Sequence, residues 1–274
     1  MMEPTERRAE DVVDQNHSGA RNESGGGEGP RGGEVAEPET RGAEAGDSGS
    51  GAPGGGTGAL RARIRRPLRE FHLDVDLVVD RWPLLLLGSS GAGKTQLLRT
   101  LAGLGPRAEG RIELDGVVWL DDRTHVPPHR RSVGFCVQEG ELFPHLSVLA
   151  NVAYPLRFRT RLSRAEREEL ARDWLARLRV DHLASSSPSA VSGGERGRIA
   201  LARALVAEPS LLLADEPFAA LDPVQRNRLG GDVIRNALQG RRVVWVTHDP
   251  AEAELLSQGG TRLRLDRGRI VEGR

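Results

Sequence analysis

Apolar and polar residues alternate in two stretches, at 60–65 and 73–77, and this pattern predicts two half-buried strands. Pro67 lies between the two stretches, where the chain would turn back so that the strands pair in antiparallel fashion. Further along the chain, Asp115-Gly116 is a strong turn signal between two more apolar runs. The pattern therefore predicts two β hairpins in the first half of the folded region.

Four short apolar runs predict buried strands, with stretches of helical spacing between them. The runs lie at 84–87, 132–137, 211–214 and 243–247. Leu97, Leu98 and Leu101 recur at helical spacing after the first run, and another helix is predicted from about residue 192 to about Ala207. Strands that alternate with helices are typical of an α/β fold with a mostly parallel sheet, in which ligands bind at the carboxyl ends of the strands.

A longer helix is predicted in the middle of the chain. Ser163 and Glu166 have the spacing of a capping box, in which each side chain bonds to the backbone N–H of the other residue. Leu170, Trp174 and Leu178 follow at helical spacing, so we expect these three side chains to form one buried face.

The first 59 of the 274 residues differ in composition from the rest. They contain 15 of the 34 glycines and carry 12 acidic against 5 basic residues. Such a segment buries too little apolar surface to offset the entropy of ordering. Residues 1–59 are therefore predicted to be a disordered tail, with the character of neither a secretory signal nor a transit peptide. Residues 60–274 have the size of one α/β domain.

No stretch has the roughly 18 consecutive apolar residues of a membrane helix, so we expect the chain to meet a membrane only through a partner. Cys136 is the single cysteine. An intrachain disulfide is thus excluded, and Cys136 is expected to be a small buried residue at a strand end. The basic residues are spread rather than clustered, so no nucleic-acid partner is predicted. A short helix at 251–256 and a hairpin turning at 266–268 are expected to complete the core rather than to form a regulatory domain.

Residues Gly88 to Thr95 fit the phosphate-binding pattern G-x-x-x-x-G-K-[ST], between a predicted strand and a predicted helix. The glycines let successive backbone N–H groups point at one anion, beside the positive end of the helix dipole. Lys94 would reach the β- and γ-phosphates of a nucleotide, and the Thr95 hydroxyl would ligate Mg²⁺. Lys94 is also the only lysine of the chain, among 39 lysine and arginine residues. A compact ammonium fits a backbone cradle that a planar guanidinium does not fit.

Further polar residues follow the other predicted strands. Of the carboxylates Asp215 and Glu216, one would hold a metal ion, and the other would polarise an attacking water. Gln138 could complete a Mg²⁺ shell or hold that water, and His248 could bond to a γ-phosphate. Ser192-Gly193-Gly194 opens a helix and makes a second anion-binding N-terminus. Because one nucleotide has a single terminal phosphate, this second site must bind another ligand or complete a site on another molecule.

In their order and spacing, these motifs resemble those of the nucleotide-binding subunit of an ABC transporter, over residues 60–274. The matching positions are the P-loop Gly88 to Thr95, Gln138, the signature Val191 to Glu195, Asp215-Glu216, Leu221-Asp222 and His248. The resemblance implies a P-loop NTPase core with a mostly parallel sheet, an antiparallel β subdomain and an inserted helical subdomain at about 139–191. It also implies that two subunits sandwich two ATP molecules, with the signature of one subunit facing the P-loop of the other.

The resemblance assigns expected roles to individual residues. Glu216 would be the general base, His248 would hold the γ-phosphate, and Lys94 would act on the same phosphates. The expected nucleotide-binding residues are Gly88, Ser89, Ser90, Gly91, Ala92, Gly93, Lys94, Thr95, Gln138, Ser192, Gly193, Gly194, Glu195 and Asp222. Thr95, Gln138 and Asp215 would hold Mg²⁺. Where the family places an aromatic residue against adenine, this chain has Leu68 and, three residues later, Phe71, so we expect poor base selectivity.

Within the family, the segments at 118–121, 127–131 and 142–148 are similar to those of molybdate importer ATPases, and sulfate, iron and polyamine importers share parts of them. The first segment contains Trp119, which we interpret as an ordinary sheet residue. The expected function is ATP hydrolysis that powers import of an oxyanion such as molybdate. The alternatives are an ATPase of another importer, an ABC-type ATPase outside transport, or a module that holds ATP without hydrolysing it.

The resemblance also implies the partners and the place of the protein in the cell. The expected partners are transmembrane permease subunits, a second copy of the chain, and indirectly an extracytoplasmic substrate-binding protein. The helical subdomain would dock on the permease, which would place the chain at the cytoplasmic face of the membrane.

Overall fold

The computed structural model describes residues 58–138, 140–159, 161–221, 238–256 and 259–273. The predicted tail at 1–59 therefore lies outside the described residues, apart from Gly58 and Ala59, and so does Asp222. Nothing helical within these ranges combines the length and the apolarity that a bilayer crossing requires.

The strands and helices begin and end close to the predicted positions. The strands are β1 (Leu60–Pro67), β2 (His72–Val79), β3 (Leu84–Leu87), β4 (Glu109–Leu114), β5 (Val117–Leu120), β6 (Val133–Cys136), β7 (Leu211–Asp215), β8 (Val243–Val246), β9 (Thr261–Asp266) and β10 (Arg269–Gly273). The described helices are α1 (Lys94–Ala102), α2 (Val148–Ala153), α3 (Leu156–Arg159), α4 (Arg164–Arg177), α5 (Gly193–Leu205) and α6 (Pro250–Leu256). Helix α5 ends at Leu205, two residues before the predicted end.

The alternating stretches form a four-stranded antiparallel sheet in the order β2-β1-β4-β5. On β1, the side chains of Leu60, Ala62 and Ile64 point into the core, and the arginines between them are exposed. Trp119 on β5 is buried against the same core, with the Arg131 guanidinium 5.7 Å from its ring centre. The interpretation of Trp119 as a sheet residue is confirmed.

The apolar runs form a six-stranded sheet in the order β10-β9-β3-β8-β7-β6. All neighbouring strands in it are parallel except the pair of β9 and β10, which closes the predicted hairpin. The prediction of an α/β fold with a mostly parallel sheet is confirmed. Because β3, β6, β7 and β8 run in the same direction, the polar residues that follow them meet at one edge of the sheet.

The central helices pack against one face of this sheet. Apolar side chains from α2, α4 and α5 share a buried cluster with Cys136 and Trp245 of the sheet. The capping box of Ser163 and Glu166 is present at the start of α4, as predicted. Cys136 is buried at the end of β6, also as predicted, and burial raises the pKa of its thiol to about 12. The bounds of the helical subdomain at 139–191 stay a prediction.

One prediction about α4 is wrong. Leu170 is 40% exposed, whereas Trp174 and Leu178 are buried as expected. The buried face of the helix passes instead through Ala171, Trp174 and Leu175. The small side chain of Ala171, and not the larger one of Leu170, faces the core at this turn of α4. The buried face is therefore offset by one residue from the face that the spacing of the large apolar residues predicted.

Candidate functional site

The loop between β3 and α1 forms a cradle closed by its own lysine. Lys94 is 7% exposed, and its Nζ donates hydrogen bonds to the carbonyl oxygens of Gly88 at 2.8 Å and Ser89 at 2.9 Å. An ammonium has three N–H donors, so one remains for a ligand. Gly93, with φ of 102°, is the N-cap of α1, and no side chain caps the backbone N–H groups of the first turn. These features make the loop suited to an anion.

Gly88 is required by the close approach of another strand. Its φ of 147° is one that other residues rarely adopt, and a Cβ at this position would lie 2.2 Å from the carbonyl oxygen of Leu265 on β9. The loop is thus packed directly on the sheet, and its backbone is fixed before a ligand binds.

A buried carboxylate lies beside the loop. Asp215 ends β7 and is 3% exposed. Burial raises the pKa of Asp215 above its ordinary value and the charge of Glu216 adds to the rise, while a hydrogen bond with the Thr95 side chain and the charge of Lys94 oppose it. Thr95 and Asp215 line the same cleft, and a hydroxyl and a carboxylate provide two of the hard oxygen ligands that Mg²⁺ prefers.

Three strand ends converge on the carboxylate of Glu216. Its Oε2 accepts a hydrogen bond from Gln138 Nε2 at 3.3 Å and lies 3.0 Å from His248 Nδ1. The backbone of Glu216 is in the left-handed region with φ of 47°, and its N–H bonds to the Val246 carbonyl at 3.0 Å. The side chain of Glu216 is only 15% exposed. The strained backbone and the two partners hold one carboxylate oxygen in a defined place.

These residues line one cleft of about 540 Å³, a volume within the range of small-molecule sites. The predicted site residues in its wall are Gly88, Ser90, Gly91, Gly93, Lys94, Thr95, Gln138, Asp215, Glu216 and His248. Of the other P-loop residues, Ser89 bonds to Lys94 through its carbonyl, and Ala92 is buried. The structure therefore brings together the residues after β3, β6, β7 and β8.

The cleft wall also contains Leu68, Phe71 and Gln96. Phe71 packs on the P-loop, with a ring carbon 3.4 Å from the point where a Cβ of Gly93 would lie. Gln96 was not expected in the site. Its position directly after Thr95, in the first turn of α1, is the only sequence signal that could have indicated it. The cleft has an apolar end beside its anion-binding loop.

The second predicted anion site lies elsewhere. Ser192 caps α5 through a capping box with Glu195, and Ser192 and Gly193 are exposed. None of the described residues that line the cleft comes from Ser192 to Glu195. Within one copy of the chain, the two anion-binding features therefore serve different surfaces. Asp222, also expected to contact the nucleotide, lies outside the described residues.

A more open depression of about 770 Å³ lies on the exposed face of the antiparallel sheet. Its charged residues are Arg63, Arg65, Arg111 and Arg123 together with Asp74, Glu109, Asp121 and Asp122. Opposite charges balance there, and Arg111 is already paired with Glu113 and Asp121. The depression lacks the concentration of one charge that would select a ligand.

Comparison with known proteins agrees with this geometry. The sequence profile of the family described as ABC transporter matches residues 78–219, which include the P-loop, Gln138, the signature and the Asp215-Glu216 pair. The chain belongs to the ABC transporter family. The dimeric structure of the ATP-binding cassette MJ0796 in a post-hydrolysis state with ADP and Pi has 28% identity and a TM-score of 0.67, covering 79% of this chain and 97% of the cassette. The P-loop NTPase fold is therefore shown.

Two similar curated relatives are named as import ATP-binding proteins. The molybdenum import ATP-binding protein ModC of Bordetella pertussis is 41% identical over 222 residues, which are 79% of this chain and 58% of that protein. The molybdate/tungstate import ATP-binding protein WtpC of Archaeoglobus fulgidus is 40% identical over 215 residues, 78% of this chain and 85% of that protein. The chain thus spans somewhat more than half the length of the ModC protein.

Proposed function

We propose that this chain binds and hydrolyses ATP to power an importer of molybdate or a related oxyanion. The observation that carries the ATPase proposal is the cleft in which the Lys94 loop, Asp215, Glu216 and His248 meet. The proposed substrate rests on the ModC and WtpC relatives, which are named for import of molybdenum and of molybdate or tungstate, and on the three segments similar to molybdate importer ATPases.

The P-loop would bind the phosphates of ATP. The backbone N–H groups at the start of α1 and the remaining N–H donor of Lys94 would point at the β- and γ-phosphates. Phe71 and Leu68 form the apolar end of the cleft, which suits the base. In this arrangement the triphosphate would lie between the loop and the carboxylates.

The cleft also fits Mg²⁺. Thr95 and Asp215 both line it, and Gln138 donates through its Nε2 to Glu216, which leaves its amide oxygen for a metal or a water. When bound, Mg²⁺ would neutralise charge on the terminal phosphates. Asp215 would then remain ionised in spite of its burial.

Glu216 would be the general base. Gln138 and His248 hold its carboxylate in the wall of the cleft that also contains the P-loop, where it would accept a proton from a water that attacks the γ-phosphorus. His248 faces Glu216 with its Nδ1, and as an imidazolium the ring would also donate from its Nε2 to the γ-phosphate. The bond between the γ-phosphorus and the β–γ bridging oxygen breaks, and ADP leaves with that oxygen.

A second copy of the chain would complete the site. The exposed N-terminus of α5, with Ser192 and Gly193, is outside the cleft of its own chain. A head-to-tail dimer would place this helix end on the γ-phosphate bound to the partner's P-loop. The relative MJ0796 is dimeric in its structure with ADP and Pi, which supports this arrangement.

An aromatic surface after Gln138 is proposed to contact the permease. Phe143, Tyr154 and Phe158 form a row with ring centres 4.7 and 5.4 Å apart, and Phe158 is 73% exposed. Arg203 of α5 lies over the Phe143 ring at 5.2 Å, so the row is joined to the signature helix. Docking of the permease on this row would hold the chain at the cytoplasmic face of the membrane. Through Arg203 and α5, the docking would also be coupled to the ATPase site.

Transport assays with the complete complex test the function. The chain, its permease and a binding protein are reconstituted in vesicles, and ATP hydrolysis is measured with molybdate, tungstate, sulfate, iron or spermidine outside. We expect hydrolysis and uptake to rise with molybdate or tungstate, and both to be lost in Lys94→Ala. Stimulation by sulfate, iron or spermidine alone would assign another importer, and hydrolysis independent of every permease would assign an ATPase outside transport.

A further inference from the structure

We propose that Arg66 is a positioning residue for nucleotide binding, because it orients the side-chain amide of Gln96 toward the nucleotide. The proposal rests on the proposed function as an ATP-binding protein. Arg66 donates a hydrogen bond from one guanidinium nitrogen to Gln96 Oε1 at 2.5 Å. A guanidinium can only donate, so the atom of Gln96 that faces Arg66 must be its oxygen. Gln96 lines the cleft, and its NH₂ group, which Arg66 does not bond, would donate to a ligand there.

The place of Arg66 in the fold is unusual for a charged residue. It occupies the core-facing side of β1, in line with Leu60, Ala62 and Ile64, and it is 3% exposed. Its second terminal nitrogen, Nη1, has no hydrogen-bond partner in the described part of the chain. Burial lowers the pKa of Arg66, and the positive charge of Arg99 lowers it further. An apolar side chain would satisfy this position better, so folding stability does not account for the arginine.

A charged residue among core-facing apolar residues breaks the alternation of the strand without stabilising the fold, and such exceptions are expected at functional sites. Arg66 precedes Leu68 by two residues, and Leu68 belongs to the apolar end of the cleft. Gln96 follows Thr95 on α1 and lines the same cleft as Leu68. Because Gln96 is adjacent to the phosphate-binding loop in the first turn of α1, its amide would meet a phosphate oxygen of the nucleotide.

The charge behind the amide strengthens the interaction with an anion. A guanidinium bonded to the amide oxygen polarises the group and makes its N–H donors stronger. Arg66 thus acts on the nucleotide through Gln96 without touching it. This makes a specific prediction, that substituting Arg66 has no further effect once Gln96 is unable to donate.

Nucleotide affinity and thermal stability of five variants test the proposal in the full chain. The variants are Arg66→Met, Gln96→Met, the double variant, Arg66→Lys and the control Arg65→Met, which removes the same charge from the exposed face of the same strand. We expect Arg66→Met to weaken ATP and ADP binding by about 3- to 10-fold. Its unfolding temperature should be equal to or above that of the wild type, and Arg65→Met should bind as the wild type does.

The double variant and the lysine variant separate positioning from a structural effect. The double variant should bind ATP as Gln96→Met does, and Arg66→Lys, which keeps a donor for Gln96 Oε1, should recover most of the affinity. Wild-type affinity in Arg66→Met, a further loss in the double variant, or an equal loss in Arg66→Lys would each overturn the proposal. A wild-type chain that binds no ATP would instead refute the proposed function.

Discussion

Lys94 is fixed in its loop by hydrogen bonds and burial. Its ammonium is bonded to two carbonyl oxygens of its own loop and is almost completely buried. A planar guanidinium cannot occupy the same space with the same donor directions. The retention of one lysine in a chain that otherwise uses arginine is consistent with this geometry.

Lys94→Arg is therefore expected to lose most ATP hydrolysis, although the charge is conserved. The loss should be about 100-fold or more, since removal of one preorganised donor has effects of this size. Arg99→Lys, at an exposed position in the last turn of the same helix, makes the reverse exchange and should keep normal turnover. Steady-state phosphate release checks both variants, and an active Lys94→Arg protein would show that the cradle tolerates either cation.

Asp215 predicts a dependence of stability on pH. Because burial raises its pKa, the folded chain binds the proton more readily than the unfolded chain does. The free energy of unfolding should then fall as pH rises from the ordinary aspartate pKa through the raised pKa. In the absence of Mg²⁺, Asp215→Asn should unfold at a higher temperature than the wild type at about pH 8, and the difference should shrink on acidification. A lower unfolding temperature for Asp215→Asn at that pH, by calorimetry, would contradict this account.

At the scale of single elements, α5 connects three parts of the site. Its first turn carries the signature glycines, and Gly194 packs against the side chain of Leu221. Gly197 lies directly against the backbone after Glu216, since a Cβ there would be 2.2 Å from the Pro217 carbonyl oxygen. Arg203 donates to the Glu141 carbonyl in the segment after Gln138. A movement of α5 would therefore displace the backbone next to Glu216 and the segment that follows Gln138.

Gly197→Ala tests this connection. In an open helix position, alanine stabilises by roughly 0.5–1 kcal/mol relative to glycine. Here the added Cβ must displace Pro217, so the unfolding temperature should fall, and hydrolysis should fall more than ATP affinity. A rise in the unfolding temperature with unchanged turnover would show that α5 does not hold the segment after Glu216.

The sequence predicted where the strands and helices lie better than it predicted which side chains of a helix face the core. Period-2 and period-3.6 patterns predicted the strands and helices because burial on one face imposes them. Leu170 was misplaced, since the spacing cannot tell which of two adjacent positions faces a neighbouring helix. Arg66 and Gln96 were not recognised, because their contact joins residues 30 positions apart through the fold. The motif residues that follow the parallel strands could be assigned to one site, since the carboxyl ends of those strands lie at one edge of the sheet.

At the scale of the whole molecule, two copies of the chain are proposed to be needed for one complete ATPase site. Lys94→Ala should remove the P-loop function, and Ser192→Arg should block the signature that serves the partner chain. Each variant alone should be inactive. An equal mixture should recover about a quarter of wild-type hydrolysis, because half of the dimers are mixed and each of these has one intact composite site. If the mixture stays inactive while dimers form, the signature does not complete the partner's site.

ATP hydrolysis in this cleft is proposed to depend on Glu216 as the base. Glu216→Gln keeps the size of the side chain and its hydrogen bonds to Gln138 and His248, but removes the basic oxygen. The most direct measurement is the rate of ATP hydrolysis by this variant with the permease present, beside its affinity for ATP. We predict that ATP still binds and that hydrolysis falls by roughly 10²- to 10⁴-fold. Turnover near that of the wild type would contradict the assignment of Glu216.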